Sequence, residues 1–205
     1  MNCLDEVVIF NLINFSNMFK KITAILFFAV LALSNFSALA QKTTLWLVRH
    51  AEKQTAEMGG SDPALSDIGN HRAADLAKVL KRYPIITIYS TNYKRTLSTA
   101  APLAAELKLT PVVYDARDMA AIATKALQEN KGRQALIVGH SNTLIPVIKA
   151  LNAEIPFAEL TDNDYDMIFK VVIDENGKAK LTIGYYGDMH HSTEIPPAYS
   201  ETFKN

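Results

Sequence analysis

Cysteine is almost absent from this 205-residue sequence, which contains only Cys3. A single thiol excludes an internal disulfide framework, a thiolate zinc site and an iron–sulfur cluster. The sequence also has no excess of positive or negative charge, because 21 Lys and Arg residues balance 21 Asp and Glu residues. A neutral chain has no basic field to attract nucleic acids or anionic membranes, and we expect neither as a partner.

The first 40 residues have the pattern of a secretory signal peptide. Two lysines follow Met18, an apolar run covers residues 22–33, and Ala38-Leu39-Ala40 supplies the small-x-small order of a cleavage site. We therefore expect cleavage after Ala40. Residues 1–17 fit no part of this pattern, and we interpret them as a misplaced start, with Met18 as the true first residue.

An uncleaved membrane anchor is the alternative interpretation of this segment, because about 20 apolar residues can span a bilayer. The cleavage pattern favours the signal peptide. We accordingly expect residues 41–205 to be a single domain that is periplasmic or secreted, with no stable membrane insertion once the signal is removed.

Apolar strand-like runs alternate with amphipathic helical patterns through the remaining chain. Strands are predicted at residues 44–48, 85–89, 111–114 and 135–138, and helices at 67–81, 93–107, 119–129 and 143–151. Residues 166–173 and 180–186 predict a C-terminal β-hairpin. This order predicts an α/β fold, a three-layer α/β/α sandwich around a mixed, mostly parallel sheet. The polar tail after Gly187 is expected to be a surface extension.

Two histidines and two arginines follow predicted strands. Arg49 and His50 come directly after the first strand, Gly139 and His140 after the fourth, and Arg95 after the second. Ligands of open α/β sheets bind beyond the carboxyl ends of the strands. We therefore expect these side chains to form a positively charged pocket for a tetrahedral oxyanion.

The residue types suit phosphoryl chemistry. Arginine grips phosphate oxygens with planar N–H forks, and a neutral imidazole is a competent nucleophile. The arginine charges are expected to lower the pKa of His50, while His140 donates a hydrogen bond to the phosphate. Gly139 is expected to let the backbone approach the anion.

Four sequence blocks then occur in order: Leu47-Val-Arg-His-Ala-Glu-Lys53, Leu65-Ser-Asp-Ile-Gly69, the Ser-x-x-x-x-Arg-x-x-x-Thr-Ala segment of residues 90–100, and Gly139-His-Ser-Asn142. Together they resemble the motifs of the histidine phosphatase superfamily, in its phosphoglycerate mutase-like branch. The resemblance covers about residues 44–151. Ala51 stands where the family usually has glycine.

This resemblance implies a metal-independent phosphatase without cofactors, whose partner is a small phosphorylated substrate or a phosphate ion. It implies that His50 is the phosphorylated nucleophile and that Arg49, Arg95 and His140 complete the phosphate pocket, with Lys53 as a further phosphate contact. Family members usually place a general acid beyond the third strand. Asp118 is our choice for that acid and Asp115 the alternative; if neither reaches the pocket, we expect substrates with good leaving groups, such as phosphohistidine.

The sequence thus predicts an exported phosphatase that hydrolyses phosphomonoesters, or alternatively phosphoramidates, through a phosphohistidine intermediate on His50. A phosphate-recognising module without turnover is a second hypothesis, motivated by Ala51 and the uncertain acid, and a phosphomutase is a third. Residues 54–64 are expected to form a mobile lid. Glu52 is interpreted as a partner for an arginine, and the adjacent pair His190-His191 lacks the i, i+4 spacing of a helical zinc site.

Overall fold

The computed structural model describes Lys20, Thr23 and residues 42–55 and 60–203. The predicted signal peptide lies outside the described residues, apart from Lys20 and Thr23, and so does the centre of the predicted lid at residues 56–59. Within the described part of the chain, no helix is both long and apolar enough to cross a membrane.

A mixed six-stranded sheet forms the centre of the fold, in the order β3-β2-β4-β1-β5-β6. Its strands are β1 (Thr43–Arg49), β2 (Ile85–Thr91), β3 (Val112–Tyr114), β4 (Gln134–Gly139), β5 (Met167–Ile173) and β6 (Ala179–Tyr185). The first four strands run parallel, whereas β5 is antiparallel to both β1 and β6. The predicted mixed sheet and C-terminal hairpin are confirmed.

Four helices cover the two faces of this sheet, as the sequence predicted. They are α1 (Asp67–Leu80), α2 (Lys94–Leu107), α3 (Met119–Glu129) and α4 (Ser141–Ala150), and a short 3₁₀ helix (Pro197–Tyr199) follows β6. Successive side chains of β1 pack on opposite faces of the sheet. Trp46 lies in the core beneath α1 and α2, and Leu47 lies in the core beneath α3 and α4. A strand that is buried on both faces explains the continuous apolar run in the sequence.

The order of the parallel strands positions the site. β4 lies between β1 and β2, and Arg49 at the end of β1 is in register with Gly139 at the end of β4. Because the carboxyl ends of these strands meet at one edge, the residues that follow them, His50 and His140, are neighbours in space.

The start of α1 fixes the loop that follows His50. Ser66 caps the helix by accepting a hydrogen bond from the Gly69 backbone, and the Ser66 backbone N–H donates to the Glu52 carbonyl oxygen at 2.9 Å. A Cβ atom on Gly69 would lie 2.0 Å from that same oxygen, so only glycine fits. The Leu65–Gly69 motif therefore holds the loop that follows His50 against the start of α1.

The predicted surface extension after Gly187 is wrong, because the tail packs onto the sheet. Phe203 is 6% exposed, with its ring centroid 5.3 Å from that of Trp46. The Glu201 backbone N–H donates to the Ile183 carbonyl oxygen, and the Glu201 carboxylate pairs with Lys170 at 2.6 Å. The tail completes the core that covers one face of β1.

We predict that Phe203→Ala lowers the free energy of unfolding by about 3 kcal/mol, because it leaves a cavity beside Trp46. Urea unfolding followed by circular dichroism measures this loss. Met189→Ala is the matched control: Met189 lies on the same tail but is 83% exposed, and its change should stay within about 0.5 kcal/mol. Equal effects of the two substitutions would show that the tail does not pack as described.

Candidate active site

The ends of β1 and β4 bring two imidazoles together, with the ring centroids of His50 and His140 5.3 Å apart. Both side chains are buried but line an open cavity of about 420 Å³. The cavity is lined by Arg49, His50, Lys53, Tyr93, Arg95, Ala116, Arg117, His140, Ser141, Asn142, Thr143 and Asp162. Five of the six site residues predicted from the sequence therefore line one cavity, and the sixth, Asp118, does not.

The backbone fixes the tautomer of His50. Its Nδ1 atom lies 2.8 Å from the Ala51 carbonyl oxygen, which can only accept a hydrogen bond. Nδ1 therefore carries the proton of the neutral ring, and Nε2 keeps its lone pair. The Ala51 backbone N–H donates to Thr99 Oγ1 at 2.9 Å, which holds this turn in place.

Ala51, which stands where the family usually has glycine, is accommodated by packing. Its side chain is fully buried in a small cluster with Leu65 and Ala73, and it is not among the residues that line the cavity. The additional methyl group thus fills core space and leaves the cavity open.

Both imidazoles are held in the neutral form. Burial lowers the pKa of His50 to about 3, against the opposing hydrogen bond to Ala51, and the nearby charges of Arg49, His140 and Arg95 lower it further. Burial also lowers the pKa of His140 to about 4, with Arg95 and Arg49 contributing. The expected direction is confirmed for His50, but burial and not arginine charge is the main cause.

His140 is oriented by two threonines that the sequence analysis missed. Its Nε2 atom lies 2.9 Å from Thr91 Oγ1, which is itself hydrogen-bonded to Thr96 Oγ1 at 2.9 Å. Both hydroxyls are buried. They lie within the residue 90–100 motif, next to the serine and the arginine that define it, so the motif positions His140 as well as Arg95.

Arg49 is a buried cation that holds a loop between α4 and β5. Its Nη1 donates to the carbonyl oxygens of Thr161 at 2.9 Å and Asp162 at 3.2 Å, and its guanidinium lies 4.0 Å from the centroid of the Tyr165 ring. Its Nε atom is buried and has no hydrogen-bond partner among the described residues. Arg49 therefore has an unused donor.

Arg95 has the same feature. Its guanidinium stacks over the Tyr93 ring at 4.4 Å, and its Nη1 lies 3.5 Å from Asp62. Its Nε is likewise buried without a partner in the described part of the chain. A buried donor left unpaired costs about 1–3 kcal/mol, so two such donors beside one cavity favour an oxyanion as the missing acceptor.

Neither predicted acid lies in the cavity. Asp118 instead caps α3, since its Oδ1 accepts a hydrogen bond from the Ala121 backbone at 2.8 Å. Asp115 pairs with Arg117 at 2.7 Å, and hydrogen bonds from Arg117 lower the pKa of the Asp115 carboxyl to about 2, which favours the ionised form. Asp162 is the one carboxylate among the described cavity-lining residues, and no sequence motif identified it.

Packing within the protein gives a reason for the glycine before His140 that is separate from the expected approach of the backbone to an anion. A Cβ atom on Gly139 would lie 2.9 Å from Thr143 Oγ1 and 3.0 Å from the Tyr114 hydroxyl. Space within the protein is therefore what requires glycine at this position.

Two further residue assignments concern carboxylates near the site. Glu52 accepts hydrogen bonds from Arg72 Nε at 2.8 and 2.9 Å, which confirms it as an arginine partner. His190 and His191 each place Nδ1 2.7 Å from a different buried carboxylate, Glu52 and Asp166 respectively. Within the described residues, no group of three or more metal-ligating side chains is present.

The sheet and its cavity define an α/β protein with a cation-lined pocket at the carboxyl ends of its parallel strands. A family model described as histidine phosphatase superfamily (branch 1) matches residues 45–118, from β1 to the start of α3. Together with the fold, this match confirms the resemblance to the histidine phosphatase superfamily that the Arg49-His50 motif indicated. No curated protein matches the chain.

Solved structures share the fold. A mycobacterial glucosyl-3-phosphoglycerate phosphatase superposes with a TM-score of 0.56 at 13% identity, covering 69% of this chain and 97% of its own. A phosphoserine phosphatase mutant from Entamoeba histolytica gives 0.53 at 17% identity, with coverages of 68% and 95%. The protein histidine phosphatase SixA, complexed with tungstate, gives 0.52 at 16% identity, with coverages of 72% and 96%.

We predict that the His50 ring stays neutral far below the usual imidazole midpoint of about 6.5. Its pKa of about 3 means that the folded protein binds fewer protons here than the unfolded chain between pH 6.5 and 3. Stability from this group is therefore full above pH 6.5 and falls as the pH is lowered through that window. Nitrogen chemical shifts followed by NMR test this prediction, with the urea-unfolded protein as reference; a midpoint near 6 in the folded protein would contradict it.

Proposed function

We propose that this chain is a phosphatase that hydrolyses phosphomonoesters through a covalent phosphohistidine intermediate on His50. The observation that carries the proposal is the pair of buried Arg49 and Arg95 Nε donors, which have no partner among the described residues, at the same cavity as His50, whose Nε2 keeps its lone pair. The fold likeness to structures named as phosphatases, one of them holding tungstate, supports the same chemistry.

The first step is transfer of the phosphoryl group to His50. Arg49 and Arg95 hold the phosphate oxygens, and His50 Nε2 attacks phosphorus in line with the leaving oxygen. The P–N bond forms while the P–O bond breaks, and the leaving oxygen keeps the electron pair. The hydrogen bond from Nδ1–H to the Ala51 carbonyl stabilises the positive charge that develops on the ring.

Water completes the cycle in a second step. Its oxygen bonds to phosphorus and releases one proton to solvent, while the P–N bond breaks and its electron pair returns to Nε2. Burial keeps the regenerated ring neutral and nucleophilic, because it disfavours the imidazolium.

The placement of the predicted acids bears on the substrate. Asp118 is engaged as a helix cap, and Asp115 is paired with Arg117 outside the cavity lining. Substrates whose leaving group needs little protonation, such as aryl phosphates and phosphoramidates, are therefore expected to react fastest. Lys53 lines the same cavity and supplies a further cation for a small phosphorylated substrate.

Export is a separate part of the proposal. It rests on the signal-peptide pattern between Met18 and Ala40, and it places the enzyme in the periplasm or outside the cell. Cell fractionation with amino-terminal sequencing of the exported protein tests it, and a mature chain that begins at Gln41 is expected. Retention of the intact leader in a membrane fraction would favour an anchor.

We predict rapid formation of an acid-labile phosphoenzyme when the protein is mixed with p-nitrophenyl phosphate, followed by release of phosphate. His50→Ala should lower turnover at least about 1,000-fold and abolish the phosphoenzyme, because it removes the nucleophile. Rapid-quench labelling measures both. His71→Ala is the matched control, since His71 is an exposed histidine on α1 that does not line the cavity.

The other hypotheses give different results in the same assay. Stoichiometric phosphate binding with neither phosphoenzyme nor turnover would favour the phosphate-recognising module over the enzyme. Transfer of the phosphoryl group to a phosphoglycerate acceptor in preference to water would favour a phosphomutase. The accommodation of Ala51 in a buried cluster removes one of the two motives for the module.

A further inference from the structure

The structure assigns the missing proton donor of this site to Asp162, which we propose as its general acid and base. The inference rests on the phosphatase proposed above and adds a catalytic residue to it. Asp162 lines the same cavity as His50 and is the one carboxylate among the described lining residues. It lies in the loop between α4 and β5, whereas the predicted acids follow β3, on the other side of β1 in the strand order of the sheet.

Arg49 places this loop beside the phosphate site. One guanidinium nitrogen, Nη1, donates to the carbonyl oxygens of Thr161, Asp162 and Asp164, at 2.9, 3.2 and 3.4 Å. Nη2 lies 3.7 Å from the Asp162 carboxylate, while Nε has no acceptor within the described part of the chain. Because the guanidinium is a rigid plane, an anion held by Nε and a carboxyl held near Nη2 are close to one another.

The back of the loop is anchored independently. The buried Asp164 carboxylate accepts hydrogen bonds from the backbone of Thr161 at 2.6 Å and from the backbones of Ser192 and Thr193 at 2.8 and 2.9 Å. The loop backbone is thus fixed on both sides. The Asp162 side chain itself is fully exposed where it lines the cavity, so a substrate in the cavity can reach its carboxylate.

The other carboxylates near the cavity already have hydrogen-bond or ion-pair partners. Asp62 pairs with Arg95 and accepts a hydrogen bond from the Lys94 backbone at the start of α2. Asp115 pairs with Arg117, and Asp118 caps α3. Among the described residues, the Asp162 carboxylate has only its long contact of 3.7 Å to Arg49, which leaves its oxygens available to a substrate.

Asp162 acts as the general acid in the first step and as the general base in the second. In the first step His50 Nε2 bonds to phosphorus, the P–O bond breaks, and the leaving oxygen takes the proton of the Asp162 carboxyl to depart as an alcohol. In the second step the Asp162 carboxylate takes a proton from water as its oxygen attacks phosphorus and the P–N bond breaks. The products are phosphate and neutral His50, with Asp162 protonated again.

Comparison of two leaving groups tests the assignment. Asp162→Asn should lower kcat/KM for glycerol phosphate, whose alkoxide needs a proton, by about 100-fold or more, and at least about tenfold more than for p-nitrophenyl phosphate. Asp162→Glu, which keeps a carboxyl at this position, should restore part of the loss. Glu159→Gln is the matched control, because Glu159 is an exposed carboxylate in the same loop and does not line the cavity.

The outcomes separate this inference from the function on which it rests. An equal loss on the two substrates, or no loss on glycerol phosphate, would overturn the role of Asp162 while the wild-type protein still proves to be a phosphatase. If the wild-type protein forms no phosphoenzyme and hydrolyses neither substrate, the proposed function fails first and the inference fails with it. Unchanged tungstate binding and thermal unfolding of Asp162→Asn confirm that the variant is folded.

Discussion

The rest of this site depends on a buried positive charge at the end of β1. A buried guanidinium is costly unless its donors are paired. Arg49 is 5% exposed, and backbone carbonyl oxygens of residues 161, 162 and 164 and the Tyr165 ring compensate its charge on one side. Its remaining N–H faces no protein acceptor among the described residues. One side chain thereby anchors a loop and leaves a site for an anion.

Sheet topology supplies the other groups around that anion. Because β4 lies between β1 and β2, their ends place His50, His140 and the Thr91 hydroxyl side by side. Burial then keeps both imidazoles uncharged, so the site combines fixed guanidinium charge with a neutral nucleophile. An imidazolium at His50 would have no lone pair on Nε2 and could not attack phosphorus. Burial is therefore as important to the chemistry as the arginines are.

Local patterns were sufficient to predict the elements and to bring five of the six predicted site residues to one cavity, because strand-end motifs place side chains in an α/β sheet by topology alone. Other features depend on contacts across more than 100 residues, which leave no local periodicity: the clamp from Arg49 to Thr161 spans 112 positions, and the contact from His190 to Glu52 spans 138. The surface extension predicted after Gly187 was wrong because the polar composition of the tail gave no indication that Phe203 is buried. The prediction that Asp118 reaches the cavity was wrong because an aspartate just before a helix can equally well be its N-cap, as Asp118 is for α3.

The Nε donors of Arg49 and Arg95 are expected to bind one tetrahedral oxyanion next to His50. The most direct measurement is a crystal structure of the protein soaked with tungstate. We expect the anion to lie within about 3 Å of both Nε atoms, with His50 Nε2 directed at the metal centre of the oxyanion. An anion bound elsewhere, or an empty cavity in which protein carbonyl oxygens pair with both Nε atoms, would contradict the account.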